Sequence, residues 1–271
     1  QPKIVEDIDK AREFSKMSRL GFIRESVICA PLTDKEEVIG TITIANTVDG
    51  SSFGPSDLEL LSTIAAQASI AIRNASLYEE QENMYLNTVQ ALVSAIEASD
   101  AYTRGHSERV TKYSVALAKR MGMEGDPLKQ LEQAAVLHDI GKIGIDVALL
   151  HKKGKLTAAD IDVLKLHPSI GVRILEPIHF LGTVREIIEQ HHERYDGNGY
   201  PNGLSGGDWR LEGKILSVCD TYDAMTSDRP YRKALSHEIA IQEIHDHSGS
   251  QFDPEVASAF ISLCNEGRLP Q

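Results

Sequence analysis

Apolar and polar positions change period along the chain. Segments 26–32 (SVICAPL) and 38–46 (VIGTITIAN) flank a polar turn, TDKEE at 33–37. In the second, Ile42 and Ile44 alternate with threonines, the period of two of a half-buried strand, so the pair reads as a hairpin. VDGSSFGPSD (48–57) is a turn-rich loop in which Pro55, Ser56 and Asp57 form a helix start. From Leu58 the period lengthens. Leu58, Leu61, Ala65, Ala68, Ile72 and Ala75, and later Leu86, Val89, Val93 and Ile96, recur at threes and fours. After Pro55 no proline or glycine occurs before Gly105. This predicts one very long helix, or two nearly collinear ones meeting around YEEQEN (78–83), with two ordinary core helices joined by a short turn as the plainer alternative. An uncapped helix of that length suggests a signalling helix or coiled coil, and so a parallel homodimer through residues 55–98.

Beyond residue 100 the chain reads as helical almost throughout. Helices are expected at about 106–121, 127–140, 157–166, 168–176, 180–192, 211–226, 236–247 and 254–265, separated by loops containing Gly and Pro. The expected architecture is mainly α: a small α+β segment (1–54), a long connecting helix (55–98) and an all-α domain (99–271).

Composition narrows the function. With 271 residues and 41% hydrophobic content the chain can build real cores. A net charge of −12 argues against binding nucleic-acid polymers or anionic membrane surfaces, so an anionic substrate needs a local cationic site. Cysteines 29, 219 and 264 lack CxxC spacing and suit a reducing cytoplasm. No stretch approaches eighteen consecutive apolar residues and no charged-then-apolar leader opens the chain, so no membrane contact is expected of this segment.

The candidate chemistry begins at HDIGK, His138 to Lys142, where an apolar run ends. If the helix persists that far, His138, Asp139 and Lys142 point to one side. An imidazole beside a carboxylate suits a divalent metal, and a lysine one turn away suits a phosphate. His106 opens a helix, His167 precedes Pro168, and His191 and His192 end a helix. Asp220 interrupts the apolar stripe of Ile215, Val218, Cys219 and Tyr222, where a carboxylate is costly unless it meets a cation, and Asp223 one turn on would support it. Taken singly, each is more often a capped or hydrogen-bonded residue. Together they are too many N/O ligands for one metal and about right for two sharing a carboxylate. Histidines 151, 179, 237, 245 and 247 read as solvated.

At this point residues 85–265 resemble the HD-GYP domain, a bacterial subgroup of the HD metal-dependent phosphohydrolases. The matching segments are YTRGHSERV (102–110), LHDIGKIGI (137–145), GKLT (154–157), HPSIGVRIL (167–175), HHERYDGNGYPNGL (191–204), CDTYDAMTSDRPYRKAL (219–235) and QFDP (251–254), in the family's order. The resemblance implies hydrolysis of cyclic di-GMP to linear pGpG and, in some members, onward to GMP. It places the metals, commonly iron or manganese, on His138, Asp139, His167, His191, His192 and Asp220, with Asp139 bridging and His106 as a further ligand. Lys142 falls at a catalytic position; Lys142, Arg229, Arg232 and Tyr200 are expected to meet the substrate. Gly199, Tyr200 and Pro201 form the signature triplet, a possible surface for partner proteins. Members thought to hold a third metal carry a glutamate where this chain has Tyr102, so two ions are expected, with a stop at pGpG if the second hydrolysis needs a third. Residues 25–80 resemble the C-terminal half of a GAF domain through ESVICAPL, EVIGTITIAN and FGPSDLELLSTIAAQASIAIRNASLYEE. On that resemblance the chain begins inside the domain.

Two divalent ions acidify water and draw charge from phosphoryl oxygens, and mixed His and carboxylate ligands suit Fe, Mn or Zn better than Mg or Ca. Two other readings stand beside this one. Within the cyclic-dinucleotide reading a mixed cyclic GMP-AMP dinucleotide is a variant substrate; the two others are an HD phosphohydrolase for another nucleotide and a metal-bound, catalytically weak module that binds partner proteins.

Overall fold

The computed structural model describes residues 1–5, 27–45, 51–99, 105–152, 154–228 and 233–270. It divides into two compact units, residues 1–85 and 86–271, and is mainly helical.

In the first unit β1 (Lys3–Val5), β2 (Val27–Asp34) and β3 (Glu37–Ala45) form an antiparallel sheet in that order. The hairpin expected at 26–46 is β2 and β3, joined across Lys35 and Glu36, while β1 carries no readable period in three residues. Ile28 and Ala30 of β2 pack with Leu61 and Ala65 of α1 (Pro55–Ser99), with Leu32, Ile42 and Phe53 around them. The start of α1 is fixed by Asp57, whose carboxylate accepts from the Gly54 N–H at 2.8 Å. Ser69 of α1 accepts from the Thr33 N–H at 2.9 Å. One continuous helix therefore runs through YEEQEN.

In the second unit the last turns of α1 contribute Leu86, Val89 and Val93 to a helical core. That core is built from α2 (His106–Arg120), α3 (Gly125–Leu137), α7 (Gly182–Gln190), α8 (Leu211–Thr226), α9 (His237–Asp246) and α10 (Pro254–Asn265). Shorter helices α4 (Val147–Leu150), α5 (Ala158–Leu164) and α6 (His167–Leu175) lie between α3 and α7 in the chain. Caps explain their placement: Thr157 and Asp160 form a capping box at α5, and Asp253 caps α10 ahead of Pro254. No helix of the described residues is long and apolar enough to cross a membrane.

One local condition set by the sequence is not met. The helix carrying His138 does not persist to Lys142; α3 ends at Leu137 and the chain tightens into a 3₁₀ turn, Ile140–Gly144. The cause is packing. A Cβ on Gly141 would meet the backbone of His167 and Gly171, so this turn lies against the start of α6 more closely than a side-chained helix could.

Candidate metal centre

Five histidines and two aspartates converge, most of them from the ends of helices. His106 is the first residue of α2, His138 follows the last residue of α3, and His167 opens α6. His191 and His192 follow α7, and Asp220 projects from α8. They gather into two groups, His106–His138–Asp220 and His167–His191–His192, each with ligand atoms within 4.8 Å of one another. His106, His138, His167 and His191 are buried; His192 and Asp220 are partly so.

Asp139 stands between the groups. Its Oδ2 lies 3.7 Å from both His106 Nε2 and His138 Nε2, and its Oδ1 lies 3.6 Å from His167 Nε2. Asp220 Oδ1 lies 3.2 Å from His106 Nε2 and 3.8 Å from His138 Nε2. Lys142 closes back on the shared carboxylate, with Nζ 2.5 Å from Asp139 Oδ2. The 3₁₀ turn brings this lysine to Asp139 at three residues' spacing, in place of the helical route expected from the sequence.

The imidazoles are oriented by their other nitrogens. Nδ1 of His138, His167 and His191 donates to the carbonyl three residues earlier, at Ala135 (2.7 Å), Leu164 (2.8 Å) and Ile188 (2.6 Å). With each proton on Nδ1, each Nε2 presents a lone pair inwards. Nε2 of His167 and Nε2 of His191 then face each other at 3.3 Å, while His138 Nε2 lies 3.3 Å from the Nε2 of His106, which meets the Asp220 carboxylate. Two lone pairs at that distance repel unless a cation lies against both. The donor set therefore fits divalent metal, held by mixed imidazole and carboxylate ligands.

Electrostatics separate the groups. Burial, with neighbouring histidines adding to it, holds His191 well below the usual histidine range and lowers His192 to about 3. Burial also lowers His167, against the pull of Asp139. These three imidazoles are neutral at pH 7. His106 differs: burial alone would lower it, but hydrogen bonds to Asp220 and Asp223 and the charge of Asp139 raise it to about 9. For Asp139 burial raises the carboxyl, but Lys142 and the surrounding histidines outweigh it and hold it well below its ordinary value. Burial likewise opposes ionisation of Asp220, and the hydrogen bond and charge of the histidines prevail.

Support for His106 comes from α8. Asp223 Oδ2 accepts from His106 Nδ1 at 2.7 Å, and Arg109 grips the same carboxylate through Nε (2.6 Å) and Nη2 (2.9 Å). Arg109 Nη2 also donates to Ser227 at 3.1 Å. Arg109 was legible only as a helix position three residues after His106. Asp223 therefore touches His106 rather than Asp220.

The signature loop folds back over the histidine pair. Tyr200 N–H donates to the His192 carbonyl at 3.1 Å, and its ring stacks on the His192 ring with centroids 4.8 Å apart. Gly199 is required by close approach, since a Cβ there would stand 2.5 Å from Glu193 Cα and 2.6 Å from Glu193 C. Buried Glu193 then accepts from the N–H groups of Asn202 (2.7 Å) and Leu204 (2.9 Å), latching the loop beyond Pro201. Gln251 of QFDP braces the loop through Arg194 at 3.1 Å. Glu193 was not singled out in the sequence, though its place directly after the histidine pair was a signal. Tyr102, Arg229 and Arg232 lie outside the described residues. Histidines 151, 179, 237, 245 and 247 are exposed, His237 meeting the Tyr222 hydroxyl at 2.8 Å.

Known proteins are similar to the chain in sequence and in fold. The model of the HD domain matches residues 90–256, and that of the GAF domain residues 1–72. A cyclic di-GMP phosphodiesterase of Thermotoga maritima is 41% identical over 193 residues, covering 70% of this chain and 52% of the relative. The 3'3'-cGAMP-specific phosphodiesterase 3 of Vibrio cholerae is 32% identical over 207 residues, covering 76% of this chain and 45% of the relative. The chain thus spans about half the length of these curated relatives. Among solved structures, Bd1817, a HDG"Y"P protein from Bdellovibrio bacteriovorus, superposes with TM-score 0.51 at 25% identity, covering 67% of this chain and 60% of that one. With the HD model matched over more than half its length, and Gly199, Tyr200 and Pro201 in the loop after the histidine pair, the chain belongs to the HD domain family, among its HD-GYP proteins, with a GAF domain match ahead of it.

Proposed function

We propose that the chain is a metal-dependent phosphodiesterase that hydrolyses cyclic di-GMP to linear pGpG. The observation that carries this reading is Asp139, whose two carboxylate oxygens face the two separate ligand groups. HD family membership implies divalent metal, and the donor set supports two ions. His106, His138 and Asp220 would hold one, and His167, His191 and His192 the other, with Asp139 shared. Iron or manganese suits these ligands best. When bound, two such ions acidify a water and withdraw charge from phosphoryl oxygens.

The chain's own residues do the rest. Lys142 puts positive charge beside Asp139, where negative charge gathers on the phosphoryl oxygens in the transition state; such contacts contribute roughly a few kcal/mol. Tyr200 holds the His192 ring at the rim of the centre. Arg229 and Arg232 are proposed, on sequence grounds, to meet the substrate. The substrate rests on relatives such as the Thermotoga maritima enzyme, and the Vibrio cholerae relative favours a mixed cyclic GMP-AMP dinucleotide as a second reading.

Exposed Leu60, Ile64, Tyr78 and Tyr85 along α1 support a homodimer through 55–98, to be checked by light scattering. The division at 54 and 98, partner proteins at the signature loop and a cytoplasmic location, suggested by three free cysteines, belong to the same proposal.

The deciding experiment incubates protein loaded with Mn or Fe(II) with cyclic di-GMP and with 3'3'-cGAMP, and follows products by chromatography. Conversion of cyclic di-GMP to pGpG is expected. Absence of turnover on either nucleotide, with metal bound, would sink the reading.

A further inference from the structure

Lys165 lies in the turn between α5 and α6. Its N–H donates to the Ile161 carbonyl, and the next carbonyl back, that of Leu164, accepts from His167 Nδ1. One turn therefore sets the positions of both Lys165 and His167. The ammonium sits 5.4 Å from the centroid of the Tyr200 ring, the ring that stacks on His192. An aromatic face attracts a cation through its quadrupole, which holds the ammonium at the rim without neutralising it.

Among the described residues, Arg109 is paired with Asp223, Arg194 with Asp196 and Lys214 with Asp253, and Lys142 lies against Asp139 within the centre itself. Lys165 is exposed and, among the described residues, pairs with no carboxylate. In a chain of net charge −12, such a cation beside a centre built for phosphate is the local attraction that a dianionic substrate requires.

A cyclic dinucleotide carries two phosphodiesters, and the centre with Lys142 addresses one. We propose that Lys165, supported by Tyr200, anchors the phosphodiester that is not being cleaved. This rests on the phosphodiesterase reading above. An ammonium suits the role, since as a compact point charge it binds phosphate without needing one fixed planar geometry.

The test compares wild type, Lys165→Gln and Lys165→Arg, all metal-loaded, on cyclic di-GMP and on bis(p-nitrophenyl) phosphate, which has a single phosphodiester. Lys165→Gln should raise KM for cyclic di-GMP about ten- to thirtyfold with kcat changed less than about twofold, the loss of one charged hydrogen bond. The aryl diester should lose less than about twofold, and Lys165→Arg should recover most of the KM. An unchanged KM for cyclic di-GMP in an active background would overturn the assignment. Equal losses on both substrates would overturn it too, because Lys165 would then act through the metal centre. A wild type that cleaves the aryl diester but neither binds nor cleaves cyclic di-GMP would instead defeat the substrate reading on which the assignment rests.

Discussion

Gly141→Ala tests whether the 3₁₀ turn is what holds the shared carboxylate in place. The new Cβ would stand 2.6 Å from Gly171 N and 2.8 Å from His167 C, and closer still to the His167 carbonyl oxygen. Ordinary Cβ contacts begin near 3.4 Å. All three atoms are backbone, so no rotamer change relieves the overlap, and the turn must part from α6 by roughly 1 Å. Overpacking of this kind costs about 1–3 kcal/mol, and rigid backbone neighbours argue for the upper end. The displaced elements carry Asp139 on one side and His167 on the other, whose 3.6 Å contact joins the two ligand groups. A loss of about 3 kcal/mol in stability is expected, together with at least about a tenfold weakening of metal binding of the kind seen when ligand orientation is disturbed. Thermal unfolding and metal analysis of the purified variant measure both. A wild-type melting temperature with full metal content would refute the packing argument.

Two further outcomes follow from the same geometry. Because His106 is raised to about 9 in the absence of metal, ion binding at His106–His138–Asp220 must displace a proton at pH 7. Apparent affinity there should rise about tenfold per pH unit from pH 7 towards 9, with about one proton released per ion; His167, His191 and His192, already neutral, should release none. Calorimetry in buffers of different ionisation enthalpy reads the proton count, and equal release at both groups would refute the distinction. Tyr200→Ala should weaken metal binding at the three-histidine group about five- to tenfold by removing the ring contact, whereas Tyr200→Phe should keep it. Metal titrations of the two variants decide this, and equal weakening would show that the hydroxyl, not the ring, matters.

The helical architecture was legible because its signals are local and strong. Periods of three and four, glycine and proline breaks, and caps such as Asp253 before Pro254 locate most elements within a few residues. The short β1 carries too few residues for a period, and α4 too few turns. The 3₁₀ turn at 140–144 was not foreseen, for a physical reason. Helical spacing is a property of His138, Asp139 and Lys142, whereas the actual geometry depends on how closely Gly141 approaches His167, which lies 26 residues away in the chain. The histidines and aspartates could be named from their chemistry, but not what aims them. Carbonyls of Ala135, Leu164 and Ile188 carry no side-chain signature, and the Arg109–Asp223 pair joins residues 114 apart. The GYP triplet was legible as a signature without a physical role. The structure supplies one, since Gly199 lets the loop lie against Glu193 and Tyr200 then stacks on His192.

The metal content of wild type and Asp139→Ala, measured by elemental analysis after identical loading with Mn or Fe(II), bears most directly on the shared-carboxylate centre. Two ions per wild-type chain are expected. Asp139→Ala should hold fewer than about one and lose cyclic dinucleotide turnover in parallel, because both ligand groups face that single carboxylate. Full occupancy in Asp139→Ala would contradict the bridging role and, with it, the proposed two-ion centre.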